Sequence, residues 1–248
     1  MTQSLSNRQA ALEQARGLLA QCEKIVCFSG AGLSAESGIS TFRDTETDAL
    51  WSRYDPTKLA SPEGFAEDPK LVIDWYDWRR QAIANAEPNA AHIALAGRPD
   101  IIQVTQNVDD LLERAGCKAE SVFHLHGNIT HDRCHARCGY QQKVDLGSPP
   151  GLRSCPMCNA PLRPAVVWFG ETLPQWAWQQ SEQHCRTADC LLVIGTSASV
   201  YPAAGLIQLT KTYGGKVLVI NTQPSGASAL ADMELIGPCG EWLPQLLS

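Results

Sequence analysis

Four cysteines fall into two close pairs, Cys134 with Cys138 and Cys155 with Cys158. Two thiolate pairs separated by roughly 15–20 residues match a tetrahedral zinc site. The second pair has the two-residue spacing of a metal knuckle, whereas the first is one residue wider. His135 stands where the narrower spacing would put a ligand, so the expected set is Cys134, Cys138, Cys155 and Cys158, with His135 as the substitute for Cys134. Four protein ligands fill the tetrahedron, so the metal is expected to be structural. The segment has too few large apolar residues to bury four bare thiols.

A second group of reactive residue types follows five short apolar runs. Residues 24–28 lead into Ser29-Gly30-Ala31-Gly32, 101–105 into Gln106-Asn107, and 122–125 into His126-Gly127. Residues 190–194 lead into Gly195-Thr196-Ser197, and 217–220 into Asn221. Gly-Ala-Gly after a strand suggests a phosphate turn feeding a helix N-terminus. Gly38 stands too far from Gly32 for the ordinary dinucleotide fingerprint, and no acidic residue ends a second strand at the usual distance. Both departures speak against an ordinary dehydrogenase.

The elements that must position these residues follow from periodicity. The five runs have the length and β-branched content of buried strands. Residues 6–20 place Leu12, Ala15, Leu18 and Leu19 at helical spacing, and 107–115 and 175–186 also read as helices. Strands alternating with helices predict an α/β fold, a parallel sheet covered on both faces. Ligands in such sheets bind outside the carboxyl ends of the strands, where the five junctions lie. Residues 45–87, with Trp51, Trp75 and Trp78, and residues 130–163, with four cysteines and Gly147, Pro149, Pro150 and Gly151, break the alternation. Both are expected to be insertions that form a smaller second domain.

Composition narrows the classes. The chain has 248 residues, 44% apolar content and a formal charge of −6. That balance speaks against nucleic acid, whose binders cluster Lys and Arg. No window reaches the roughly 20 apolar residues of a membrane span. The N-terminus MTQSLSNRQA lacks the apolar region of a secretory leader, so a cytoplasmic, monomeric protein is expected. Ten cysteines in such a chain point to metal or redox chemistry rather than to disulfides.

The run Gly30-Ala31-Gly32-Leu33-Ser34-Ala35-Glu36-Ser37-Gly38-Ile39-Ser40-Thr41-Phe42-Arg43 resembles the NAD-binding signature of the sirtuins, the NAD-dependent protein deacylases. Gln106-Asn107-Val108-Asp109 resembles their second signature and Leu125-His126-Gly127-Asn128 their third. The paired cysteines resemble their zinc module. Val166-Val167-Trp168-Phe169-Gly170-Glu171, Gly195-Thr196-Ser197 and Asn221 follow in the family's order, so the resemblance spans residues 24–247. It implies a Rossmann-like NAD-binding domain of residues 1–44, 88–129 and 164–248, and a small helical and zinc-binding domain of 45–87 and 130–163.

The resemblance also implies a reaction. An acyl group passes from a protein lysine to ADP-ribose, nicotinamide leaves, and one structural zinc supports the fold. A ribose hydroxyl must lose its proton on the way, and a histidine suits that task at neutral pH. His126 matches the family's catalytic histidine; His124 points to the same side of an extended strand but lies deeper. Asn107 would hold a ribose hydroxyl or a water, and Asp109 the nicotinamide carboxamide. Both residues also suit the start of a helix. Phe42 and Arg43, with Thr41, would cover the cofactor. Gly30, Ala31, Gly32, Ala35, Gln106, Gly195, Thr196, Ser197, Asn221 and Cys239 complete the cofactor set. His92 is expected to pack on a helix, and His131 and His184 to be solvated.

The acyl group is the finer question. Helix 69–86 puts Tyr76 and Arg79 on a face with Val72 and Ile83. An arginine among apolar neighbours suits an anionic partner. The pattern resembles the Tyr-x-x-Arg of the sirtuin subclass that removes succinyl, malonyl and glutaryl groups, and Ala60 stands where that subclass keeps a small residue. Val167, Trp168, Phe169, Gly170 and Glu171 are expected to be extended and to pair with the substrate backbone. Desuccinylation and demalonylation are expected, with some deacetylation. The alternatives are an enzyme that is mainly a deacetylase and, as the nearest rival, ADP-ribosyl transfer with the same NAD activation.

Overall fold

A computed structural model describes residues 2–39, 54–146 and 150–248. Thr41, Phe42 and Arg43, like Trp51, Gly147 and Pro149, lie outside the described residues. The main sheet has six parallel strands: β1 (Ile25–Ser29), β2 (Ile102–Thr105), β3 (Val122–His124), β7 (Cys190–Ile194), β8 (Lys216–Asn221) and β9 (Met233–Ile236). A second, antiparallel sheet holds β4 (Gly127–Cys134), β5 (Gln141–Lys143) and β6 (Leu162–Val166). The helices are α1 (Thr2–Leu19), α2 (Gly32–Ala35), α3 (Pro56–Leu59), α4 (Pro62–Glu67) and α5 (Pro69–Asn85). They continue as α6 (Ala90–Ala96), α7 (Leu111–Ala115), α8 (Gln175–Thr187), α9 (Gly205–Thr212) and α10 (Cys239–Leu246).

Every residue of β1 and β7 is buried, as strands covered on both faces require. Their alternate side chains enter two cores. Cys27, Leu192 and Ile194 pack with Leu12 and Ala15 of α1, Leu95 of α6 and Trp242 of α10. Val26, Phe28, Leu191 and Val193 pack with Cys185 of α8 and Leu206 and Ile207 of α9. The strand order is β3-β2-β1-β7-β8-β9. The chain steps outward from β1 to β3 and returns at β7, beside β1, so the order reverses between them. Such a reversal opens a crevice at the carboxyl ends of the strands. β9 was not among the five expected runs; it is a four-residue edge strand with Leu235 as its one buried side chain.

The small sheet crosses the expected domain boundaries, because β4 starts at Gly127 and β6 ends at Val166. Against it packs a helical arm built by repeated local signals. Asp55, Ser61 and Asp68 each cap a helix N-terminus through a side-chain oxygen, and each is followed by proline at the first helical position. Phe65, Val72, Tyr76 and Ile83 of this arm share a core with Ile129, Val166 and Trp168. Among the described residues, no helix is long and apolar enough to cross a membrane.

Candidate active site

The crevice at the strand reversal is lined by glycines because the backbones nearly touch. Gly32 N donates to Gly195 O at 2.8 Å. A Cβ on Gly32 would lie 2.6 Å from Gly195 Cα, and one on Gly30 would lie 2.8 Å from Thr196 Cβ. Gly195 itself adopts a φ of +58°, the left-handed region that favours glycine. The result is a cradle of bare backbone between β1 and β7.

Polar side chains brace the cradle. Gln106 Nε2 donates to Thr196 Oγ1 at 2.9 Å, and Asn221 Nδ2 to Thr196 O at 3.0 Å, so the ends of β2, β7 and β8 are strapped together. Ser34, which sequence reasoning did not single out, bridges two expected site residues. Its hydroxyl accepts from Asn107 Nδ2 at 3.0 Å and donates to Asp109 Oδ2 at 2.9 Å. Asp109 Oδ1 accepts from the backbone of Leu111, so α7 starts at Leu111 and not at the expected 107. Asn107 therefore lies in a loop, where its amide is held inward. Burial holds the Asp109 carboxyl above the usual range, against the pull of Ser34 and Leu111 N–H.

His126 follows β3. Its Nδ1 lies 3.0 Å from the carbonyl oxygen of Gln106, which only accepts, so Nδ1 carries the proton and Nε2 keeps its lone pair. Burial pushes the imidazole below the usual histidine value, countered in part by that carbonyl. His126, Asn107, Asp109, Gln106, Gly30, Ala31, Gly32, Gly195, Thr196, Ser197 and Asn221 all line one cleft of about 580 Å³. Thr222, Gln223, Pro224 and Ser225 after β8 line it too, with no sequence signal beyond following a strand end. Ala35 and Cys239 are not in its wall. Cys239 instead starts α10, where its Sγ donates to Glu36.

The same cleft extends to Ala60, Tyr76, Arg79, Ile83, Val167, Trp168 and Phe169. Tyr76 is buried; its hydroxyl accepts from Trp168 Nε1 at 2.9 Å, and burial pushes its phenol up to about 12. The Arg79 guanidinium lies 5.1 Å from the Trp75 ring and 5.9 Å from the Tyr76 ring. Desolvation lowers its basicity.

Residues 168–171 depart from expectation. They form a turn, with Glu171 N donating to Trp168 O and Gly170 at a φ of +82°. Val167 N donates to His126 O and Phe169 N to Ala60 O, both at 2.9 Å. Gly170 and Glu171 also line the cleft, and the Glu171 carboxylate accepts from Arg133, Arg137, Arg163 and the Trp168 N–H. Four cationic or N–H donors facing one carboxylate make the chain fold over it instead of running straight. His131 and His184 are half-buried rather than solvated, and the His184 ring stacks on Phe123. His92 is buried in the first turn of α6, as part of a capping box with Asn89.

The cysteine pairs converge. The sulfurs of Cys134, Cys138, Cys155 and Cys158 lie within 4.8 Å of one another. Tetrahedral zinc at a Zn–S distance of about 2.3 Å sets its ligands about 3.8 Å apart, so the donor set and its spacing fit the ion. His135 stands outside the cluster: its ring packs on Phe65 at 4.7 Å, and its Nδ1 is buried without a partner among the described residues.

Residues 30–202 match the Sir2 family model. The chain belongs to the Sir2 family. An NAD-dependent protein deacylase of Ralstonia nicotianae is 43% identical over 247 residues, covering 96% of this chain and 97% of the relative. NAD-dependent protein deacylase 1 of Pseudomonas aeruginosa is 45% identical over 242 residues, covering 93% and 95%. A crystal structure of a Sir2 homologue in complex with NAD superposes with a TM-score of 0.89 at 42% identity, covering 95% of this chain and 92% of that one. The Sir2 fold, NAD as cofactor and one structural zinc on the four cysteines thus describe this chain.

Proposed function

We propose that this Sir2 deacylase removes succinyl and malonyl groups, and acetyl as well, from protein lysines in this one cleft. The observation that carries the acyl assignment is the wall formed by Arg79, Tyr76 and Ala60 in the cleft that also holds His126 and Asn107. A guanidinium withdrawn from water pairs strongly with a carboxylate, and its planar fork matches both oxygens. Ala60 is small and buried, which leaves width for a branched or longer acyl chain.

When bound, NAD supplies an electrophilic ribose carbon and nicotinamide as leaving group. The chain's residues do the rest. The Gly30-Ala31-Gly32 turn and Gly195 would offer backbone to the cofactor's phosphates, and Thr196, Ser197 and Asn221 would hold the adenosine half. His126 Nε2 accepts the proton of a ribose hydroxyl. Asn107 and Asp109 orient groups on the nicotinamide side, and Trp168 with Tyr76 walls the lysine and acyl chain from water.

The test compares acetyl- and succinyl-lysine peptides with the wild type and Arg79→Met. Losing a charge-assisted bidentate contact costs about 1.5–3 kcal/mol, so succinyl kcat/KM should fall roughly 10- to 150-fold while acetyl turnover changes little. Unchanged succinyl turnover would remove Arg79 from its role. Label from NAD staying on protein would indicate ADP-ribosyl transfer instead.

A further inference from the structure

Two residues before His126, a second histidine is bound so that its contacts define its charge. His124 Nδ1 lies 2.9 Å from the carbonyl oxygen of Asn107, and Nε2 lies 2.8 Å from Oε1 of Glu113 on α7. A carbonyl oxygen only accepts, and so does an ionised carboxylate. A neutral imidazole has one N–H and could satisfy one of them. An imidazolium satisfies both. The two side chains are 12% and 26% exposed, so little water is at hand to serve in its place. The other Glu113 oxygen is buried without a partner among the described residues, which leaves His124 to neutralise it.

The position matters for the cleft. His126 Nδ1 donates to the carbonyl of Gln106, and His124 Nδ1 faces the next carbonyl, that of Asn107. Two histidines on one strand end thus hold consecutive carbonyls of the loop that presents Gln106, Asn107 and Asp109. From the other side, Ser34 links the Asn107 amide to the Asp109 carboxylate. Among the described residues, the other charged or titratable groups that act on the pair are Asp109 on the loop with its neighbour Asp110, His131 on β4, and Cys117 beyond α7. Asp109 is a buried carboxylate, and a cation at His124 favours its ionised form.

We propose that His124 is a positioning residue, an imidazolium held between Glu113 and the Asn107 carbonyl, which fixes the 106–109 loop for the cofactor and supplies the positive charge that Asp109 needs. The proposal rests on the reading of the cleft as the NAD site. Glu113 contacts and the Asn107 carbonyl hold the His124 proton more firmly than water does, although burial opposes them. The two acceptor contacts thus favour the charged ring over the neutral one, and the charge is lost as pH rises.

The deciding measurement uses the full chain with ¹⁵N-labelled histidine, without NAD. Ring-nitrogen NMR at pH 7.5 should show one histidine protonated on both nitrogens, and that signal should vanish in His124→Gln. In Glu113→Gln the same ring should titrate at lower pH. Kinetically, His124→Gln should raise the KM for NAD about tenfold with a smaller change in kcat, and should remove the alkaline limb of kcat/KM for NAD. A neutral His124 ring at pH 7.5 overturns the proposal, as does an unchanged KM and pH profile in a folded His124→Gln protein. The NMR result stands on the wild type alone, so it decides even where a variant fails to fold. It also separates this proposal from the acyl assignment, because it needs no peptide.

Discussion

His126 and His124 sit two residues apart and are tuned in opposite directions. Burial depresses His126 below its ordinary value of 6.5, with only the Gln106 carbonyl favouring the charged ring. A base works in its neutral form, so the acid limb of kcat/KM for an acetyl-lysine peptide should lie below pH 6.5. A limb above pH 7 would show that another group is the base. His126→Ala should lose about 10²- to 10⁴-fold in turnover, read in the same assay. The linkage signs differ as well. A histidine held low contributes stability above its unfolded value and loses it as pH falls. His124, held above its unfolded value, contributes stability below that value and loses it as pH rises through the folded one. The residue types at His126, Asn107 and the glycines were legible in the sequence, because each follows an apolar run. The Glu113–His124 pair was not. It joins a helix to a strand end, and no spacing rule connects them. Ser34 was within the quoted run, yet its bridge to Asn107 and Asp109 needs β1 and β2 to be neighbours.

Elements show the same division. Strand runs buried on both faces are continuous and apolar, so β1, β2, β3, β7 and β8 could be read. Edge strand β9 buries one side chain and leaves no such trace. The segment 167–171 was legible as apolar and aromatic but not as a turn, since its shape depends on ion pairs to Arg133 and Arg163 that no local pattern announces. Arg163 is 2% exposed, lies 3.7 Å from the centroid of the Trp168 ring, and ion-pairs with Glu171, which is 7% exposed. Burial pushes Arg163 down to about 10, and Arg133 adds to that. Removing the carboxylate would leave a buried guanidinium without its counter-charge. Glu171→Ala should therefore cost about 3–5 kcal/mol in urea unfolding. It should also release Phe169 and Trp168 from the cleft wall and raise the peptide KM more than the KM for NAD. A loss below 1 kcal/mol would mean that the loop holds its shape without this anchor.

At the scale of the whole molecule, the cofactor side and the zinc side have separate means of support. The sheet of six strands has two cores, and none of the four cysteines belongs to either. The helical arm holds the near part of the small sheet: Arg80 on α5 is buried and donates to the Ile129 carbonyl and to Asp132 on β4. Beyond Asp132, the buried apolar group shrinks to Cys134, Cys155 and Leu162, with Tyr140 and Ala160 against them. So small a core cannot offset the chain entropy of the residues it orders. The metal must supply the difference, and structural zinc in small modules binds with about 10–16 kcal/mol. Chelation, or Cys155→Ser, should expose four titratable thiols in the metal-free wild type and unfold the zinc end only. The far-UV signal of the parallel sheet should persist, because its cores are untouched. Deacylation should nevertheless fall in step with zinc release. β4 runs from beside His126 to the ligand Cys134, with a register shift against β6 between Asn128 and Asp132. Arg133, one residue from the ligand Cys134, helps to hold Glu171 and with it the substrate wall. The KM for peptide should rise before NAD binding is lost, since the glycine cradle lies between β1 and β7. Thiol titration, circular dichroism and peptide turnover on one chelated sample decide the matter. Full turnover by zinc-free protein would show that the two sides are not coupled through β4.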